Sequence, residues 1–329
     1  MDALLASGRI TTFAGAAFLF GLGPVYALVL HHGFAAATDT KWRRGHERMA
    51  RRLALEADAA FAGLTVGSLL TLLGQVRDAA QRHGASVRAS DVVDTLGTGF
   101  GGWTALRLVL TVAMFAALRG QLRDRLARAE GARAMPAEDR TFWIGWTVFG
   151  TALLASIAMT SHAAAGPRPL LAVPVNLAHL ATSAVWLAGI CVLATALPVA
   201  LATRDARSQL HLFSPTLARF ARLAFLAVLA TAVTGALNAL AVLDDVGALR
   251  TTAYGQTLLV KVWLFAWIVG LGGLNHFVLL RRLQAAATPQ EGAARMRVIG
   301  GSVAVEFLFG VLLLGATAVL TGLSPTSTG

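Results

Sequence analysis

Eight separate stretches of about twenty predominantly apolar residues run through the chain, at about 9–31, 54–76, 100–118, 141–162, 175–198, 219–242, 255–279 and 298–320. A helix needs about 20 such residues to cross roughly 30 Å of hydrocarbon. In lipid every backbone polar group must find its partner inside the segment, which leaves helices or a closed barrel. Stretches of this length predict an all-α membrane protein of about eight transmembrane helices. The connections are too short for a water-soluble domain. Charged residues make up only 14% of the chain, where soluble domains carry about 25%. The first stretch shows no small-residue cleavage pattern and reads as a span, not a removable leader.

The net charge of +11 could suggest a nucleic-acid partner, but its distribution excludes one. Lys and Arg alternate between rich and poor loops. Twenty of the 28 lie in four loops: Lys41–Arg52, Arg119–Arg140, Arg204–Arg222 and Arg281–Arg297. Six others (Arg9, Arg77, Arg82, Arg88, Arg168 and Arg250) fall on the opposite side, and Arg107 and Lys261 lie within spans. The positive-inside rule then places the basic loops in the cytoplasm and both termini outside. The lone cysteine, Cys191, permits no disulfide framework.

The chain also repeats itself. Thr98-Gly-Phe100-Gly101 leads to Arg107 six residues later, and Thr252-Ala-Tyr254-Gly255 leads to Lys261 in the same way. Phe18 and Gly21 pair with Trp186 and Gly189, and Val66-Gly67 with Thr234-Gly235, at one shared offset of 168. Four spans per repeat is an even number, so this is a parallel repeat. Two four-helix units follow, residues 1–163 and 164–329. The units differ in their polar residues: His179 stands opposite Thr11, His162 opposite Leu323, and Glu306 opposite Gly145.

That asymmetry directs attention to the second unit. His162 at the end of span four and His179 at the start of span five flank a short loop at about 163–174, so the two imidazoles are expected near the outer face. Met159 lies three residues before His162, one helical turn away. Imidazole and thioether together suit copper, Cu(I) above all; the alternative is a pair of interfacial histidines that cap helix ends. Trp186 lies two turns along the stripe from His179. Cys191 lies about 18 Å below it at 1.5 Å per residue, as a relay ligand or simply a packed side chain. Glu306 is an acid at a depth where charges tend to face a bundle interior or cavity. Lys261 and Asn238 complete the polar groups of a possible ion path or its surroundings, with interhelical hydrogen bonding the plainer role for Asn238. Histidines 31, 32 and 276 at inner helix ends leave a rival open, in which outer and inner pairs ligate haem in an electron-transfer protein. Loop positions are expected for His46, His83 and His211.

Taken in order, several segments of the second half resemble the copper resistance protein D family (CopD). They are Ser161-His162-Ala163, Asn176-Leu-Ala-His179, Ala184-Val-Trp186-Leu-Ala-Gly189, Arg219-Phe220-Ala-Arg222, Thr234-Gly235-Ala-Leu-Asn238, Thr252 to Lys261, Gly272-Gly-Leu-Asn275, Val305-Glu306 and Leu320 to Pro325. The resemblance covers about 155–326 and extends more weakly to Thr98–Arg107. It departs in His276, where a basic residue is expected. It implies a bacterial inner-membrane copper homeostasis protein, moving copper inward from the periplasm beside a periplasmic copper-binding (CopC-like) partner. A partner that only delivers copper, without transporting it, is a further possibility. No nucleotide-binding loop, HExxH or CxxC motif is present, and no enzyme activity is expected.

Overall fold

The computed structural model describes residues 3–31, 40–82, 86–127, 137–166, 168–202, 206–243 and 245–323. Eight helices in it are long and apolar enough to cross a membrane. They are α1 (Ala3–Val25), α2 (Thr40–Arg82), α3 (Gly99–Ala127), α4 (Ala137–Ala158), α5 (Pro169–Thr195), α6 (Ala206–Val242), α7 (Ala253–Leu274) and α8 (Pro289–Leu320). Each contains one of the eight apolar stretches or most of it, and the described residues form no strand. The protein is an all-α, multi-pass membrane protein.

Helices α1 to α4 close into a ring, α1 on α2, α2 on α3, α3 on α4 and α4 back on α1. In the other four, α5 packs on α6, α7 on α8, and α8 on both α5 and α6, while α6 meets the α7 side chiefly through the short helix Leu280–Gln284 that continues it. The two groups meet mainly through α1 and α5. At that crossing a Cβ on Gly21 would lie 2.4 Å from the Ala184 carbonyl oxygen, so only glycine permits the approach. Phe225, Leu226, Leu229, Val233 and Leu240 of α6 and Val262, Trp263 and Trp267 of α7 are exposed, which suits contact with lipid tails.

At the two places paired by the T-x-aromatic-G motif, the same local structure forms. A short helix (Ala89–Gly97 or Ala248–Thr251) stops at an extended threonine, Thr98 or Thr252. The threonine hydroxyl accepts the backbone N–H of Gly101 at 3.1 Å and of Gly255 at 3.0 Å. A capping hydroxyl satisfies one of the free N–H groups of the helix it opens, which is why α3 and α7 begin where they do.

The structure departs from the sequence expectations in several details. Helix α4 ends at Ala158, and Ser161 is extended (φ −98°, ψ 169°) before a separate turn at His162–Ala165. Met159 and His162 therefore do not share one helical face. Helix α5 begins at Pro169, so His179 lies ten residues inside it and does not open it. His46 belongs to α2 and is buried, because α2 begins well before its apolar stretch. His32, His83 and the side chain of His211 lie outside the described residues. Helices α1 and α7 each pass into a π-helical turn, Tyr26–Leu30 and Asn275–Leu279.

Candidate functional site

The polar residues of the second half gather along the inner faces of α5, α6, α7 and α8. His179 is partly buried on α5. Its Nδ1 lies 3.1 Å from the Thr231 carbonyl oxygen and 3.2 Å from the Thr234 hydroxyl of α6. A carbonyl can only accept, so this contact places the proton on Nδ1 and leaves Nε2 as the lone-pair nitrogen. The Thr231 hydroxyl donates in turn to Thr182 at 3.0 Å. Gly235 lets the ring approach: a Cβ there would sit 3.1 Å from His179 Cε1. The paired position in the first half is used in the same way, since a Cβ on Gly67 would lie 2.5 Å from the Thr11 hydroxyl. The two paired glycines thus face a threonine in one place and an imidazole in the other.

His162 stands on the short turn beyond α4. A hydrogen bond ties Asn176 Nδ2 to Ser161 Oγ at 2.9 Å. Ser161 adjoins His162, and Asn176 lies one turn before His179 on α5, so the two histidine-bearing segments are fastened at one level. The imidazoles have different surroundings. His162 is exposed by surface area, yet its pKa is lowered by desolvation and then by the Arg9 guanidinium, opposed by a backbone hydrogen bond at Leu323. His179 feels the charge of Lys261. Met159 is partly buried in the break between α4 and the His162 turn.

Below His179 the interior is aromatic. Trp186, two turns down α5, is buried and meets Phe265 of α7 edge to face at 5.5 Å between centroids. Phe265 is itself one turn below Lys261. About 21 Å below Lys261, from the rise per residue, a second polar layer appears. Asn275 and Glu306 are both 5% exposed, and Asn275 Nδ2 donates to Glu306 Oε1. Glu306 forms no ion pair with Lys261 or any other described residue.

The remaining sequence candidates lie apart from these layers. Cys191 is on α5, where the charges acting on it are Glu56 and Arg52 of α2, at the basic end of the molecule. Asn238, one turn beyond Thr234, makes no hydrogen bond to another described residue, so the interhelical bond expected of it is found at Asn275 instead. His31 is buried near Tyr26, with ring centroids 6.4 Å apart. Sequence reasoning missed Thr231, which fixes the His179 tautomer. A carbonyl acceptor has no sequence signature; the only available hint was the spacing of Thr231 and Thr234 on one helical face.

Among the described residues no three of His, Cys, Asp and Glu are grouped to hold a metal.

Residues 214–320 match the family model described as copper resistance protein D. The chain is 27% identical over 289 residues to the copper transport protein CutJ of Bacillus subtilis (strain 168), covering 86% of this chain and 48% of that protein. It is 31% identical over 182 residues to copper resistance protein D of Pseudomonas syringae pv. tomato, covering 54% of this chain and 58% of that one. The chain thus spans about half the length of the curated relatives it matches. No solved structure matches it. The matched segment includes Thr231, Thr234, Lys261, Asn275 and Glu306, residues of both polar layers, and it is over this segment that the chain is similar to the copper resistance protein D family.

Proposed function

We propose that this chain carries copper across the bacterial inner membrane, inward from the periplasm, through the second four-helix unit. In this reading the basic loops are cytoplasmic and both termini are outside. The chain divides at about residue 163 into two parallel repeats, of which only the second handles metal. Copper is the cargo. His179 Nε2 and His162 form its entry point, with Met159 as a third, weaker donor that suits Cu(I). The periplasmic donor would be a copper-binding protein of the CopC-like class implied by the resemblance.

The observation that carries this reading is the fixed tautomer of His179. A metal-binding imidazole is commonly oriented by a carbonyl that takes its other N–H, and Thr231 has that relation to His179. Lys261 places a positive charge near the entry point and opposes a cation resting there. Such a site binds cargo weakly enough to pass it on. Trp186 and Phe265 form the apolar step between the two polar layers.

Purified chain reconstituted in proteoliposomes and supplied with Cu(I) outside tests the reading. Uptake into the lumen is expected, and it falls to the rate of empty liposomes in His179→Ala. Copper that binds the chain but never enters the lumen, from either side, would favour a delivery partner over a transporter.

A further inference from the structure

The lower polar layer of the second unit holds features that copper transport as described does not use. Glu306 is a carboxyl group inside the membrane with a single neutral partner, Asn275 Nδ2, on Oε1. Its Oε2 accepts no hydrogen bond from another described residue and lies beside Gly272, where an added Cβ would be 3.8 Å away. The Asn275 Oδ1 atom is buried with no partner, on a residue 5% exposed. The Ser302 Oγ atom, one turn before Glu306 on the same face of α8, is also buried and unpartnered. Buried polar groups in native proteins almost always have partners, and an orphan needs an explanation such as an ion. The backbone also changes here. The helix widens into a π turn that begins at Asn275, with the Leu280 N–H donating to the Asn275 carbonyl. Single π turns within α-helices are frequent at functional sites.

The donor set selects the ligand. One carboxylate supplies one negative charge, so a monovalent cation leaves the layer neutral, while a divalent ion would leave a net positive charge in hydrocarbon. All three atoms are oxygens and none is sulfur or imidazole, which suits a hard cation and not Cu(I). A proton on the carboxyl makes one O–H donor and can pair with only one of the neighbouring oxygens, while a metal cation engages several. We propose that Glu306, Asn275 and Ser302 form a binding site for a hard monovalent metal cation of the sodium class. The role of that ion as the coupling partner of copper movement rests on the transport reading; the binding itself does not.

Sodium is the probe. The full chain in detergent, at one pH and one ionic strength, is melted in choline chloride and in increasing sodium chloride. The midpoint is expected to rise by several degrees and to saturate. Glu306→Gln removes the rise. Ser302→Ala, which keeps the carboxyl group and its asparagine, shifts the half-saturating sodium concentration upward about tenfold. Elution profiles check that each variant is folded. A wild-type midpoint that does not distinguish sodium from choline overturns the site, as does a full rise retained in folded Glu306→Gln. A chain that ignores sodium yet binds copper at His162 and His179 loses only this site. A chain that responds to sodium but neither binds nor moves copper loses only the transport reading.

Discussion

Arg107 and Lys261 occupy the same place in the repeated motif, six residues after the aromatic-glycine pair, yet the structure treats them in opposite ways. Arg107 is 3% exposed. Its guanidinium donates to the Ser156 hydroxyl at 3.0 Å, to the Ser156 carbonyl at 2.9 Å and to the Thr160 hydroxyl at 3.0 Å. It is a fixed strut between α3 and α4. Lys261 has no hydrogen-bond partner among the described residues, and the group it acts on is His179. The counterparts of Ser156 and Thr160 in the second half are Thr317 and Thr321, whose hydroxyls bond only to carbonyls of their own helix. A planar guanidinium with several donors can lock two helices together, while a single ammonium cannot. At the first motif the cation ties two helices together, and at the second it bonds to no described residue and bears on an imidazole.

Arg107→Ala and Lys261→Ala probe this difference most strongly. Breaking a buried, multiply bonded cation costs about 3 kcal/mol, so Arg107→Ala is expected to lower the melting midpoint sharply or to prevent accumulation in the membrane. Lys261→Ala is expected to cost under about 1 kcal/mol. It should raise copper affinity about three- to tenfold, because a like charge near the metal is gone. Equal destabilisation by the two substitutions would erase the distinction.

The paired glycines give a smaller effect. An alanine Cβ at position 67 would meet the Gly8 carbonyl oxygen at 2.4 Å, where the backbone itself must move. Overpacking of this kind costs about 1–3 kcal/mol. At position 235 the first obstacle is the His179 ring at 3.1 Å, which can yield by a few tenths of an ångström. Gly67→Ala should therefore appear mainly in thermal unfolding. Gly235→Ala should melt nearly as wild type but bind copper less tightly, read by competition with a chelator.

The spans were legible because twenty-residue apolar runs have one common outcome in lipid. The motif itself was legible as a repeat, and its threonines cap α3 and α7 because capping is local. The Met159 placement failed for the same reason in reverse: a face argument needs a continuous helix, and the chain breaks at Ser161, which no apolar pattern marks. The Ser161–Asn176 bond, the Thr231 carbonyl under His179 and the Asn275–Glu306 pair join residues far apart in sequence. Residue type announced that Glu306 needed a partner in the membrane, and packing alone decided which amide provided it. The wide exposure of α6 and α7 was equally invisible, since lipid-facing and buried positions in a span are both apolar.

The central claim is that copper is held by the second half alone, at His162 and His179. Copper stoichiometry and affinity on the purified chain test it directly, with folding followed by elution profile. One copper per chain is expected in the wild type and in Thr11→Ala, the first-half counterpart of His179. His162→Ala and His179→Ala should each abolish binding, with the double variant little worse because the two ligands act as a unit; Met159→Leu should weaken binding only in part. Wild-type copper affinity in a folded double histidine variant, or its loss in Thr11→Ala, would contradict the account.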